Sequence, residues 1–595
     1  MLMNNKLVLP LAAALALALP TLQAAPADGT YSAKVNGHNA PMTVTVKIVN
    51  HKIDSIDTSK NLETIGVGKL ALDKLSKRMV ETQSVNVDNV TGATLSSFAI
   101  KKGVRDCLTQ AGTAKNEFNK KVDTYPTKNE TIDTQVVVIG GGGAGLAAAV
   151  SAVQNGAKVV VLEKLGYLGG STNVSGGAFN AVDPKRQKAM GIEDSEDKFY
   201  DQTMKGGHNV GNPELVRYLT SNAMSSIEWL ESLGSPFKDK IGTATGALWQ
   251  RSHYGTTPSG NHYIRTLENF LAEHKDSATI ITDANVKSLI KDKDGRVIGA
   301  VAENHGRKIT VIASKGVVIT TGGFGANVEL RRRVNTGVWK EVDLGKGIGA
   351  STIQKAAQGD GIAMGKKVGA EVIGMSDIQL HPCGTPGTGL MEHIRTSGRN
   401  RLFINENGDR FVNEGAARDT LCKAIFAQPH STYWLVVNHV RYPGRDWVDR
   451  NGATIADMAS LGAVVEGATL DELAKKTGMD PAKLKASVDE YNKVATGKVE
   501  KDKYGFVANN KEDKPMTEGP WYAVKKVPTV HHTMGGLKIN TQTQVLDIAG
   551  KPIPGLYAAG EVTGGIHGAN RLGGNAIADI FTFGRQAGKV AATAQ

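Results

Sequence analysis

Gln135-Val-Val-Val-Ile-Gly-Gly-Gly-Gly-Ala-Gly145 decides the architecture of this chain. Four apolar residues, three of them valine, run directly into a cluster of glycines, and an Ala-rich helical stretch follows. Gly140, Gly142 and Gly145 keep the spacing G-x-G-x-x-G, so the backbone can turn tightly, approach a pyrophosphate and pack a helix against a strand. The N–H groups opening the helix, at Gly143 and Ala144, supply a partial positive charge for that anion. The next strand, Lys158-Val-Val-Val-Leu-Glu163, completes a βαβ unit with a right-handed crossover and ends on an acid placed for ribose hydroxyls. The unit is an α/β dinucleotide-binding fold.

Segments further along favour FAD over NAD. Leu168-Gly-Gly-Ser-Thr-Asn173 follows Glu163 closely, with Gly170, Ser171, Thr172 and Asn173 placed to wrap a cofactor. Thr320-Thr-Gly-Gly323 ends another strand and brings Gly322 and Gly323 to the same edge. Near the C-terminus, Gly555-Leu-Tyr-Ala-Ala-Gly-Glu561 places an acid for a ribityl chain, and Gly573-Gly-Asn-Ala576 is poised for a flavin ring. NAD folds do not usually return a distant C-terminal segment to the ring.

Outward from this core, the 595 residues imply two or three domains. Residues 1–24 read as a secretory signal: Lys6, then an Ala/Leu-rich run from Leu7 to Leu19 that is short for a membrane span. This predicts a periplasmic or otherwise exported protein. Residues 25–115 form a small unit, in which Met42 to Ile48 alternates with period two as a strand and Leu70, Leu72 and Leu75 mark a helix. Residues 116–130 read as a linker. Residues 131–375 carry the first part of the dinucleotide domain, 376–530 an inserted domain, and 531–595 the second part.

Bulk chemistry excludes several classes. The sequence holds three cysteines, Cys107, Cys383 and Cys422, in no CxxCH or CxxC pattern, which excludes a c-type haem and gives no sign of an iron–sulfur cluster or metal site. The net charge of +12 is spread among acids along the chain, so it reads as a solvated surface that attracts anionic substrates rather than nucleic acid.

From Gln135 onward the chain resembles the soluble fumarate reductase flavoproteins, relatives of flavocytochrome c. The resemblance rests on Ile378-Gln-Leu-His381-Pro, Asn405-Glu-Asn-Gly-Asp-Arg-Phe-Val-Asn-Glu-Gly-Ala-Ala-Arg418, His531-His-Thr-Met-Gly-Gly536 and Gly564-Gly-Ile-His-Gly-Ala-Asn-Arg571-Leu-Gly-Gly-Asn575. It implies an α/β fold in which a Rossmann-type FAD-binding domain is interrupted by an α+β capping domain and preceded by a small α+β FMN-binding domain. It further implies reduction of the C=C bond of an α,β-unsaturated carboxylate bound between cap and non-covalent FAD. His531 and Arg571 would grip the carboxylate, His381 would bind from the cap edge, hydride would come from FAD N5 and the proton from Arg418. Glu392 and Arg395 fit the family's Glu-x-x-Arg proton relay by spacing. Lys164, Gly176, Gly177, Asp360, His532 and Ile577 complete the expected cofactor contacts.

One departure concerns the segment after His381. Cys383-Gly-Thr-Pro-Gly-Thr-Gly-Leu-Met391 is two residues shorter than the family pattern, and Met391 stands where a threonine helps hold the second carboxylate of fumarate. Methionine is a poor hydrogen-bonding partner, so the far end of the substrate is expected to differ. Fumarate is the first expectation. Urocanate, acrylate, methacrylate and cinnamate are the alternatives.

Asp88-Asn-Val-Thr-Gly-Ala-Thr94 resembles the flavinylation motif of FMN-binding domains, implying FMN joined through a phosphoester to Thr94 by a flavin transferase. FMN would then be the point where electrons enter, fed by a quinol-linked membrane-bound or cytochrome donor in anaerobic respiration. Two other readings rank lower. A ketosteroid dehydrogenase or amino-acid oxidase would lack the Arg418 and His531/Arg571 motifs, and a non-catalytic FMN electron carrier would have no need to keep Arg418.

Overall fold

The computed structural model describes residues 25–595 except 115, 258, 346, 510 and 511, and the expected signal at residues 1–24 lies outside them. Among the described residues no helix is long and apolar enough to cross a membrane.

The opening valines form the buried end of a strand, Glu130–Ile139, with Val136 to Ile139 at most 2% exposed. It lies between Arg307–Ile319 and Val159–Leu162 in parallel register. Ala278–Ile281 extends the parallel set on one side and Pro552–Ala558 on the other, so a strand more than four hundred residues away in sequence joins the dinucleotide sheet. The antiparallel strands Ala284–Lys291 and Val297–Asn304 hang from Arg307–Ile319. Apolar patterning predicts one strand over 280–290 and two separate strands, over 308–313 and from Val317 on. The chain instead breaks at Thr282-Asp283, where Asp283 takes a left-handed backbone, and runs unbroken through 314–316 with only a register shift.

The helix Gly143–Gln154 is buried along most of its length and packs under the C-terminal helix Asn575–Thr593. Glycine is required where the two approach. A Cβ on Gly588 would sit 2.0 Å from the Ala148 carbonyl oxygen.

The inserted region carries its own five-stranded antiparallel sheet, ordered Ile378–Gly384, Trp521–Thr533, Tyr433–Asn438, Leu402–Ile404, with Val465–Gly467 on the far end of Trp521–Thr533. Two hydrophobic clusters fill its two sides. Trp521–Thr533 runs continuously through residue 530, so the boundary drawn between 530 and 531 falls inside one element. That continuity carries His531 and His532 from the cap sheet to the dinucleotide domain.

The N-terminal unit is a three-stranded antiparallel sheet, Gly29–Asn36, Pro41–Val49 and Lys52–Asp57, covered by helices Gly68–Thr82 and Thr94–Gln110. Its core also takes in Leu165 and Tyr167 from the dinucleotide domain.

Candidate active site

Two adjoining cavities open at the C-terminal ends of the parallel strands, where ligands of open α/β sheets bind. The first is lined by Gly140, Gly142, Gly143, Ala144, Glu163 and Lys164, by Gly170, Ser171 and Thr172, and by Gly322, Gly323, Asp360 and Glu561. Its shape fits FAD. A Cβ on Gly142 would point into open space in this cavity, whereas one on Gly145 would meet the Gly140 carbonyl oxygen at 1.8 Å. The first glycine therefore leaves room for a ligand and the second for the helix. Both Glu163 oxygens already accept backbone N–H bonds, from Gly141 and Leu165 at 2.7 Å, and burial raises its pKa. Glu163 lines the cavity. Asp360 pairs with Lys164 at 2.5 Å.

Two expected cofactor residues have other tasks. The Asn173 amide bonds Gly66, Leu168 and Asn261, tying the N-terminal unit to the dinucleotide domain. The Asn575 amide bonds Asn180 and Thr203. Neither residue is among those lining the two cavities described here, and the contacts beside them come from Thr172, Gly574, Ala576 and Ile577.

The second cavity, of about 400 Å³, lies between this surface and the cap. His381, Arg418, His531, His532 and Arg571 all line it, along with Gly176, Gly177 and Glu561. Strand register explains how the histidines meet. Gln379 pairs with His532 and Leu380 with Val530, so His531 is the extra residue of a β-bulge. Bulges re-aim a side chain, and here the His531 and His381 rings stand 4.8 Å apart at 65°. The Cys383 N–H donates to His381 Nδ1, which places the ring proton on Nε2. His531 Nδ1 lies 2.7 Å from Ser351 Oγ, which can donate to it and leave Nε2–H for a ligand. Burial and the surrounding arginines hold both imidazoles well below their ordinary pKa, so they act as neutral donors.

Arg418 opens the helix Arg418–Phe426 and is 5% exposed. Its Nε donates to the Thr245 carbonyl at 2.9 Å and its Nη1 to Gln379 Oε1 at 2.7 Å. Gln379 in turn donates to Asn570 Oδ1 and to the Arg571 carbonyl, locking the cap arginine to the loop that carries the second one. Asn570 also donates to Asp419, which bonds His208. Arg571 donates to the Leu572 carbonyl and leaves Nε unpartnered among the described residues. Burial, reinforced by Arg571, pulls the Arg418 pKa well below that of a free guanidinium, and burial lowers Arg571 to about 10. Neither forms an ion pair among the described residues. Two buried guanidiniums with no ion pair among the described residues, Arg571 offset only in part by the charges of Glu561 and Asp579, make a site suited to an anion.

The expected Glu392–Arg395 relay is not assembled. The Glu392 carbonyl accepts from buried Lys526, and its carboxylate does not line the cavity. Arg395 does line it, but donates to the Met391 and Val174 carbonyls. Tyr254, Arg441, Trp447 and Arg450 also line the cavity without having been singled out in the sequence, where no motif marks them. Gln379 sits inside a quoted motif and was available to be read.

On the N-terminal unit, Thr94 is the part-buried first residue of a 17-residue helix and its hydroxyl makes no hydrogen bond among the described residues. Leu95 and Phe98, on the same turn, are 58% and 55% exposed. A helix N-terminus beside two exposed apolar side chains fits a phosphate-linked flavin.

The FAD binding domain family matches residues 135–577, and the FMN-binding domain family matches residues 37–109. The urocanate reductase of Eggerthella lenta is 36% identical over 94% of this chain and 92% of its own length. The NADH:acrylate oxidoreductase of Vibrio harveyi is 34% identical over 95% of this chain, which spans only 61% of that relative. The open conformation of a flavocytochrome c3 fumarate reductase superposes with a TM-score of 0.60 at 35% identity, covering 80% of this chain and 83% of that one. The chain therefore belongs to the FAD-binding family of fumarate reductase and flavocytochrome c-like flavoproteins, with an FMN-binding domain ahead of the FAD-binding domain.

Proposed function

We propose that this protein reduces the C=C bond of an α,β-unsaturated carboxylate, with Arg418 as the proton donor. The observation that carries this reading is the convergence of two unpaired buried guanidiniums, Arg418 and Arg571, with the neutral imidazoles of His381 and His531 on one cavity beside the expected flavin site. Bound FAD would supply hydride to the β-carbon. Arg571 and the Nε2–H groups of the two histidines hold the substrate carboxylate and draw negative charge away from the α-carbon as it develops. Arg571 can do so bidentately. Arg418 stands ready to protonate that carbon: Thr245 and Gln379 fix its direction, and its depressed pKa makes it a stronger acid than a solvated arginine.

Electrons reach the site through FMN carried covalently on Thr94, delivered outside the cytoplasm by a quinol-linked or cytochrome donor. The motif ending in Thr94 and the signal-like residues 1–24 support this part. The test follows oxidation of reduced viologen by the holoprotein with fumarate, urocanate, acrylate, methacrylate and cinnamate in turn. At least one is expected to turn over, and Arg418→Ala to lower that turnover by about 10³-fold with FAD still bound. No turnover with any of them, or an Arg418→Ala variant within tenfold of wild type, overturns the reading.

A further inference from the structure

One wall of the cavity between cap and dinucleotide domain is a short piece of cap that the N-terminal unit touches from outside. Trp447, Val448, Asp449 and Arg450 line the cavity there. They belong to a turn that closes tightly on itself. The Asp449 N–H donates to the Ala453 carbonyl at 2.7 Å, and Asp449 Oδ1 accepts from the Asn451 and Ala453 N–H groups at 2.8 and 2.9 Å. The Ile455 N–H donates to the Trp447 carbonyl at 3.1 Å, below the turn. A turn tied this closely moves as one piece, so whatever holds its tip holds the cavity wall.

Two contacts hold it, one on each side. From within, Arg450 Nη1 donates to the Val174 and Ser175 carbonyls of the dinucleotide domain at 2.7 and 2.9 Å. From outside, Lys69 Nζ donates to the Asn451 carbonyl at the tip, at 2.7 Å. Lys69 is half-buried, lies in the first turn of the helix Gly68–Thr82 and forms no ion pair among the described residues. The segment before it straddles the seam between cap and dinucleotide domain. Leu62 packs against the cap cluster, while the Gly66 carbonyl accepts from Asn173 Nδ2 at 3.2 Å, one residue before Val174. A Cβ on Gly66 would stand 2.3 Å from Asn261 Nδ2, so the chain presses onto the dinucleotide domain at that point. Residues 62–69 therefore bridge the two walls that Arg450 bridges from inside.

A ligand that touches a loose loop must order it, and that ordering weakens binding. A turn already fixed at its tip needs no such step. Coupling of this kind is reciprocal, so a ligand that fixes the turn also strengthens the contact at Lys69. We propose that Lys69 is a positioning residue for the substrate: it makes the N-terminal unit the outer support of the cavity, so that seating of this unit and binding of the unsaturated acid favour one another. This rests on the enoate-reductase reading above. The contact lies on the helix Gly68–Thr82 and not on the helix that begins at Thr94, so it can be altered without touching the residue expected to carry FMN.

The test compares wild type, Lys69→Met and Lys69→Arg as holoproteins, using the acid that wild type turns over fastest in the viologen assay. Lys69→Met keeps the length of the side chain without its charged donor. It is expected to raise KM by about fivefold while kcat and the content of both flavins stay unchanged, and Lys69→Arg, which keeps a donor, to recover most of the loss. The reciprocal effect is read by hydrogen exchange with both flavins oxidised, where the acid binds without turning over. Saturating acid should slow amide exchange over residues 62–69 by about the same factor in wild type and leave Lys69→Met unaffected. A rise in KM of less than threefold in Lys69→Met overturns the proposal, as does exchange in wild type that ignores the acid. Slower reduction of FAD by an external donor at unchanged KM also overturns it, since the contact would then seat the unit for electron transfer alone. Turnover of no acid by the wild type would sink the reductase reading, and this inference with it.

Discussion

Glu561 lies where both cavities meet, and burial raises its pKa to about 7, partly opposed by hydrogen bonds from Thr533 and by the charge of Arg571. A carboxyl whose folded pKa exceeds its unfolded value of about 4.5 favours the folded state while protonated. That contribution is complete below about pH 4.5 and disappears as pH rises through about 7. The buried histidines shift the other way and lose stability below their ordinary pKa, so the Glu561 effect must be read as a difference. In flavin-free protein, Glu561→Gln should match wild type near pH 4.5 and be the more stable by about 3 kcal/mol at pH 8, seen as a higher thermal midpoint. Equal midpoints across this range would mean that the carboxylate ionises without penalty. At this scale the motif residues were legible because chemistry limits their type. Arg571 and His531 sit in long, specific strings. Arg450 was not legible, since a lone arginine in Val-Asp-Arg-Asn has no pattern and only the folded cap brings it to Val174.

Two glycines separate ligand binding from packing at the scale of elements. Gly145 lies where the helix Gly143–Gln154 leaves the strand Glu130–Ile139, and its missing Cβ would overlap the Gly140 carbonyl. Gly145→Ala should therefore destabilise the apoprotein itself, by about 1–3 kcal/mol, because strand and helix must move apart. Gly142→Ala adds a methyl group to open space in the cofactor cavity and should leave apoprotein stability within about 0.5 kcal/mol while weakening FAD binding at least tenfold. Denaturation of the two apoproteins and flavin titration check this, and equal stability loss in both would refute the division of roles. The βαβ order and these glycines were readable because hydrophobic period and backbone freedom are local properties. The bulge at His531 was not. It is a matter of register between Ile378–Gly384 and Trp521–Thr533, strands about 140 residues apart, and a one-residue shift leaves no trace in composition. The Glu392–Arg395 spacing misled for the same reason: the two are three residues apart in sequence but have different partners in the fold, the Glu392 carbonyl accepting from Lys526 and Arg395 donating to the Met391 carbonyl.

The whole molecule is organised so that the N-terminal unit touches both halves of the larger one. Leu165 and Tyr167 of the dinucleotide domain enter its core, Leu62 packs against the cap cluster, and Lys69 donates to the Asn451 carbonyl beside Arg450. The Gly166 N–H donates to the Thr91 carbonyl, so the Asp88–Thr94 loop is seated on the dinucleotide domain. On the proposed function, an electron module held this way would keep its flavin close to the second cofactor, and a covalent link at Thr94 would prevent its loss. Thr94→Ala isolates that link. The Thr94 hydroxyl makes no hydrogen bond among the described residues, and alanine is the better helix former, so the variant should fold with unchanged thermal stability. Purified from cells that carry out flavin attachment, wild type should show one covalent FMN by intact mass, and Thr94→Ala none. FAD content should be equal in both. Reduction of FAD by an external one-electron donor should slow by at least about tenfold in the variant, while the oxidative half-reaction with substrate, started from chemically reduced FAD, should keep its rate. An unchanged mass would place the second flavin elsewhere, and an equal loss in both half-reactions would show that the N-terminal unit shapes the substrate cavity through Lys69 and the 447–453 loop rather than feeding it electrons.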